Sequence, residues 1–145
     1  MSMVIDASIW VASFKADERD YETSVTFIQP VVRKGIEVYL PWLVLTECAS
    51  AILRSTRNPA SHADSLIERI KRFPNMTMVN VDEQLAHEAV AIVKTSGLRG
   101  ADSIYAALAK TQNATLVAWD KAFFSEKLNE IVQTTDPAQW LAANG

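Results

Sequence analysis

Glycine, histidine and cysteine are scarce in this chain, and each scarcity removes a class of chemistry. Four glycines in 145 residues form no glycine-rich loop able to cradle a phosphate or a dinucleotide. The two histidines, His62 and His87, flank helical patterns and read as solvated side chains, and no zinc-ligand spacing is present. The single cysteine, Cys48, has no internal disulfide partner, which agrees with a reducing compartment. It lies on an apolar face and reads as a buried thiol. No apolar run approaches the ~20 residues that span a bilayer. The N-terminus lacks the basic region and long apolar core of a signal peptide, so a cytoplasmic location is expected. Nor is there a repeat, a low-complexity tract or a Pro/Gly-rich linker. The expectation is one domain over residues 1–145, of ordinary globular composition at 49% apolar and 21% charged residues.

Short apolar runs alternate with helical patterns. Met3-Val4-Ile5, Ile36–Leu40, Met76–Val81 and Thr115–Trp119 read as strands, with residues 130–134 as an edge strand. Between them, helices are expected over residues 21–34, 42–54, 61–72, 83–95, 101–110 and 121–128, with a last one opened by Asp136-Pro137. Pro30 should bend or divide the first of these, Pro41 suits a first helical turn, and Ser61-His62-Ala63-Asp64 resembles a capping box. Strands alternating with helices indicate an α/β protein, three layers deep (α/β/α), around a mostly parallel sheet of four to five strands.

Four carboxylates stand out against that frame. Asp6 and Asp120 each end a predicted parallel strand, and so share the sheet edge where α/β folds bind ligands. Glu47 is the one acid in an otherwise greasy helix, and Asp102 opens a small-residue helix. Each has an ordinary explanation when taken singly: Asp6 as a helix cap, Glu47 as a solvent-facing residue, Asp102 as a complement to the helix dipole. Together they conflict. Two carboxylates ~5 Å apart repel by roughly 3 kcal/mol at an effective dielectric near 20, so a cluster must take up protons or hold a cation. Hard divalent ions favour such oxygen ligands, and a bound Mg²⁺ keeps several waters. Sites of this kind hydrolyse phosphodiesters with no histidine, cysteine or covalent nucleophile. Ser8 can add a hydroxyl near a metal-bound water, or simply cap a helix. The formal net charge of −3 gives no global sign of nucleic-acid binding, but setting four acids aside leaves −3 + 4 = +1 for the remainder.

Val4-Ile5-Asp6-Ala7-Ser8, Leu45-Thr46-Glu47, Ala101 to Ala109 and Leu116 to Phe123 resemble, in order and spacing, the successive acidic motifs of PIN-domain nucleases. The likeness spans essentially the whole chain, and its size is similar to that of the VapC toxins of toxin–antitoxin pairs. The resemblance implies a PIN-like fold and a metal-dependent endoribonuclease using Mg²⁺ or Mn²⁺. It implies Asp6, Glu47, Asp102 and Asp120 as catalytic residues, with Asp6, Asp102 and Asp120 holding the metal. It also implies a homodimer, an RNA substrate and a small VapB-like antitoxin that covers the site, with no membrane. The fourth motif departs from the pattern, with Ala118 in place of the common Thr or Ser and Ala122 in place of a frequent acid. That departure leaves Asp120 less firmly held.

RNA would be gripped through phosphates. Arg99, three residues before Asp102, and Lys121 are the candidates near the acids, while Arg54, Arg57, Arg69 and Arg72 read first as solvated surface. Trp10 and Trp42 should fill the core or a dimer interface. Two rivals stand beside the nuclease. A haloacid-dehalogenase-type phosphotransferase wants a second aspartate where Ser8 stands. A non-catalytic, Mg²⁺-binding receiver-like or protein-interaction α/β domain would place its acceptor after the third strand, which Asn80-Val81-Asp82 fits poorly.

Overall fold

The computed structural model describes residues 1–55 and 60–145. Arg57, one of the candidate phosphate contacts, lies outside the described residues. Strands β1 (Ser2–Ile5), β2 (Glu37–Pro41), β3 (Met76–Val79), β4 (Thr115–Val117) and β5 (Thr134–Thr135) form one sheet in the spatial order β3-β2-β1-β4-β5. Every neighbouring pair is parallel. Helices α1 (Ala7–Phe14), α2 (Tyr21–Arg33), α3 (Leu43–Arg54), α4 (Ala60–Lys71), α5 (Glu83–Ser96), α6 (Gly100–Thr111), α7 (Glu126–Asn129) and α8 (Pro137–Asn144) flank it, giving the expected α/β/α layers.

The middle strand accounts for the fold's polarity. Met3, Val4 and Ile5 are fully buried, as a strand covered on both faces requires. Met3 lies level with Val38 of β2 on one side and Thr115 of β4 on the other. From β1 the chain steps outward to β2 and β3, then returns past β1 to lay down β4 and β5. Strand order therefore reverses between β1 and β4. In open α/β sheets the crevice outside the carboxyl ends at such a reversal is the ligand site.

Packing fixes the start of α1 against that edge. Trp10 is buried, its Nε1–H donates to the Ile5 carbonyl at 3.2 Å, and its ring meets Phe73 edge-on at 5.0 Å. Small residues let α6 approach β1, β2 and β4 closely, with α5 packed on its outer side. Leu85, Ala89 and Ile92 form the buried stripe of α5, and Asp82 caps it by accepting from the Leu85 N–H at 2.8 Å.

Local departures have identifiable causes. Pro30 does not divide α2, because the carbonyl it cannot serve, on Thr26, belongs to an exposed residue that water can reach. The helix closes at Gly35, whose φ of +64° suits glycine. Pro41 ends β2 rather than opening a helix, and the ladder continues through the Trp42 N–H, which donates to the Val79 carbonyl at 3.2 Å. α4 already includes Ser61 in its first turn, so no capping box starts there. Residues 121–128 split at Ser125 into a 3-10 turn (Lys121–Phe124) and α7, because the Ser125 hydroxyl caps the Leu128 N–H. The edge strand begins at Thr134 because the Ile131 and Val132 N–H groups both serve the Leu128 carbonyl. Trp42 is 44% exposed and does not fill the core, unlike Trp10.

Truncating the side chain that seats α1 should be costly. Trp10→Ala is expected to lower unfolding free energy by about 3–5 kcal/mol, measured by urea denaturation without metal.

Candidate active site

Asp6 is the first residue past β1, and its N–H extends the ladder by donating to the Val117 carbonyl at 2.9 Å. The backbone then turns into α1, and the side chain caps it, Oδ2 accepting from the Ser8 N–H at 3.1 Å. The cap and the cleft position are one arrangement: the residue is 6% exposed yet its carboxylate lines a surface cleft. Burial raises its pKa, the Ser8 hydroxyl and then the N–H groups of Ser8 and Ala7 partly offset this, and Asp120 adds repulsion.

Glu47 sits in the second turn of α3, half-buried, and accepts a 2.6 Å hydrogen bond from the Tyr105 hydroxyl on α6. Burial raises its pKa, Tyr105 opposes that, and Asp6 adds to it. Tyr105 is fully buried, and burial with the adjacent Glu47 pushes its own pKa upward, so it remains a donor. Sequence reading missed Tyr105. Its signal was a phenol, with a hydroxyl that needs a partner when buried, inside the small-residue run of α6.

Asp102 stands in the first turn of α6 with its pKa raised to about 6. Burial is the main cause, followed by repulsion from Asp6, Asp120 and Glu47, against which Arg99 acts weakly. Asp120 does not directly follow its strand. β4 ends at Val117, and the exposed Asp120 caps the 3-10 turn, accepting from the Ala122 N–H at 2.9 Å. Ala118, buried at the position where a hydroxyl was expected, offers it no bond. Ser8 supplies a tether instead: its hydroxyl oxygen accepts from the Trp119 N–H at 3.3 Å, tying the Asp120 loop to α1.

One cleft of about 580 Å³ is lined by all four acids together with Ser8 and Arg54. Arg99 and Lys121 are exposed and do not line it, whereas Arg54, read as ordinary surface, does. Arg69 lies elsewhere, over the Phe14 ring at 5.0 Å, and Arg72 pairs with Glu68 at 3.7 Å. His62 and His87 are exposed and outside the cleft. Cys48 is buried behind it, its thiol pushed up to about 12 by burial, so it is no nucleophile.

The PIN-domain family model matches residues 3–127, well over half of the chain. The chain belongs to the PIN-domain family. Among solved structures, this PIN domain is similar to VapBC2 of Rickettsia felis bound to a promoter DNA fragment, at 15% identity and a TM-score of 0.69, covering 94% of this chain and 98% of that one. It is similar to FitAcB of Neisseria gonorrhoeae at 20% identity and a TM-score of 0.68, covering 94% and 98%. The Mycobacterium tuberculosis VapC20, a sarcin-ricin-loop-cleaving toxin, shares 18% identity at a TM-score of 0.67, covering 85% and 93%. No curated protein sequence matches it significantly.

Nucleases of the PIN family use divalent metal ions. Among the described residues, no three Asp, Glu, His or Cys side chains form a ready-made metal cage. Mg²⁺ needs no such cage, being commonly bound through one or two carboxylates while keeping its waters. The donor set of the four acids fits such an ion, being all oxygen, with like charges whose mutual repulsion a cation would relieve.

The raised carboxylate of Asp102 gives the PIN domain a testable pH signature. Well below its ordinary value of 3.8 it is protonated in the folded and unfolded chains alike. As pH rises towards its folded value of about 6, the unfolded chain ionises more readily, so stability is lost. Metal-free wild type should therefore lose thermal stability relative to Asp102→Asn as pH rises from about 4 to about 7. Excess Mg²⁺ or Mn²⁺ should shrink that difference. Both are read as melting temperatures across pH.

Proposed function

We propose that this PIN domain is a metal-dependent endoribonuclease and the toxin of a VapBC-type toxin–antitoxin pair. The observation that carries the reading is the convergence of Asp6, Glu47, Asp102 and Asp120, far apart in sequence, on one cleft at the strand reversal. Asp6, Asp102 and Asp120 are the residues to hold Mg²⁺ or Mn²⁺. When bound, the ion would polarise the scissile phosphate and ease formation of hydroxide from water. Glu47, held by the Tyr105 hydroxyl, would take the proton from the attacking water. Its raised pKa brings it nearer to the range of an effective base at neutral pH. Ser8 positions the loop that carries Asp120. Arg54 in the cleft, with Arg99 and Lys121 outside it, grips phosphates of the strand.

The partners follow from the same reading. The similar structures include a sarcin-ricin-loop-cleaving toxin and VapBC and toxin–antitoxin complexes. They support an RNA substrate and a small VapB-like antitoxin as partner; on the same reading the antitoxin covers the cleft and the chain pairs as a homodimer. No helix among the described residues is long and apolar enough to cross a membrane.

Purified wild type, freed of any antitoxin, should cleave structured RNA with Mg²⁺ or Mn²⁺ and stop when the ion is chelated. Asp6→Asn and Asp102→Asn should each lose at least about 100-fold in rate while keeping native circular dichroism. A folded wild type that cuts no RNA under any of these metal conditions overturns the nuclease reading. Tyr105→Phe should slow cleavage about tenfold and move the acid limb of the pH–rate profile upward, because the lost hydrogen bond favoured ionised Glu47.

A further inference from the structure

The cleft continues past its carboxylates into a second cavity of about 270 Å³, with which it shares Ala7, Ser8 and Ala51. Trp119 walls this cavity, Val11 and Ala12 add apolar surface, and the acidic residues Glu18 and Asp20 complete its lining. Trp119 is held at two points, ring and backbone. Its Nε1–H donates to the hydroxyl of fully buried Ser24 at 2.9 Å, and its backbone N–H donates to the Ser8 hydroxyl oxygen at 3.3 Å. An aromatic wall already held in place loses little freedom when a ligand meets it.

The chemistry selects the occupant. Ionised carboxylates accept hydrogen bonds and cannot donate, and they repel a phosphate. A flat, uncharged group with N–H donors on one edge meets both the apolar wall and the acids. Asp20 also faces Arg19 at 3.8 Å, but Arg19 is 93% exposed and that ion pair is weak. Unpaired bases splayed from an RNA strand are recognised by stacking and edge hydrogen bonds of this kind. Guanine matches best, because its adjacent ring N–H and amino group suit the two oxygens of one carboxylate.

We propose that the cavity walled by Trp119 receives one unpaired base of the RNA, guanine before other bases, next to the phosphate held at the carboxylate cleft. This rests on the nuclease reading, and it assigns the base preference to Trp119, Glu18 and Asp20.

The test uses the full chain and a pool of short RNAs randomised around one cleavable loop. Wild type should enrich guanine at one position beside the cut. Trp119→Ala and the cavity-filling Ala51→Leu should each slow cleavage about tenfold, the effect of losing one stacked base, and flatten the base profile at that position. Glu18→Gln with Asp20→Asn should lower the preference for guanine over other bases. Binding of a hexamer carrying an abasic site at that position, measured by fluorescence anisotropy with Ca²⁺, should be weakened in wild type and insensitive to Trp119→Ala. Cleavage with an unchanged base profile in folded Trp119→Ala and Ala51→Leu overturns the proposal. Loss of antitoxin binding in those variants with an unchanged RNA profile also overturns it, and assigns the cavity to a peptide side chain. Should wild type cut nothing, the nuclease reading falls, and the abasic hexamer still decides whether the cavity takes a base.

Discussion

Negative charge held where water is thin is the constraint on which the remainder of this molecule turns. Asp6 is nearly buried, Glu47 and Asp102 are partly so, and all three are harder to ionise than free carboxyl groups. Burial is the first cause each time and mutual repulsion a contributing one, so the acids oppose the stability of the fold that gathers them. A fold tolerates such a site only if its framework over-determines the positions. Here β1, buried from Met3 to Ile5 and paired on both sides, supplies that framework.

The acids are also held unequally. Asp6 is anchored by two secondary-structure elements at once, being the ladder's last link and the cap of α1. Glu47 is pinned by a buried phenol from another helix. Asp120 has only its own turn, with Ser8 steadying the neighbouring residue. Division of labour follows from this gradient: the rigid pair defines the cleft floor, and the exposed acid completes it from the rim.

Much of this was legible in the residues. Met3-Val4-Ile5 ending in Asp6 announced a central strand with an acid at its carboxyl end, and four acids at motif spacing pointed to the fold and the cleft. What stayed hidden depended on tertiary context. Glu47 alone read as a solvent-facing residue, because its partner Tyr105 is 58 positions away and no local pattern joins them. Pro41 is as good a helix opener as a strand end, and only its pairing with Val79 on β3 decides the matter. Arg54 could not be told from ordinary surface arginines until α3 was placed beside the cleft. Trp119 read as strand because apolar runs do not show where hydrogen-bonding stops.

The sheet is not equally deep on its two sides. Towards β3 the pairing runs through four register positions, whereas β4 and β5 share only two. Local opening takes least free energy where few ladder bonds must break together. The β4–β5 margin is therefore the part of the sheet where opening costs least, whereas β4 is paired with β1 through three positions and keeps the loop carrying Asp120 and Trp119 in place. Because Trp119 is tied to Ser24 and Ser8 on other helices, an opening of β5 leaves the cleft and its aromatic neighbour standing.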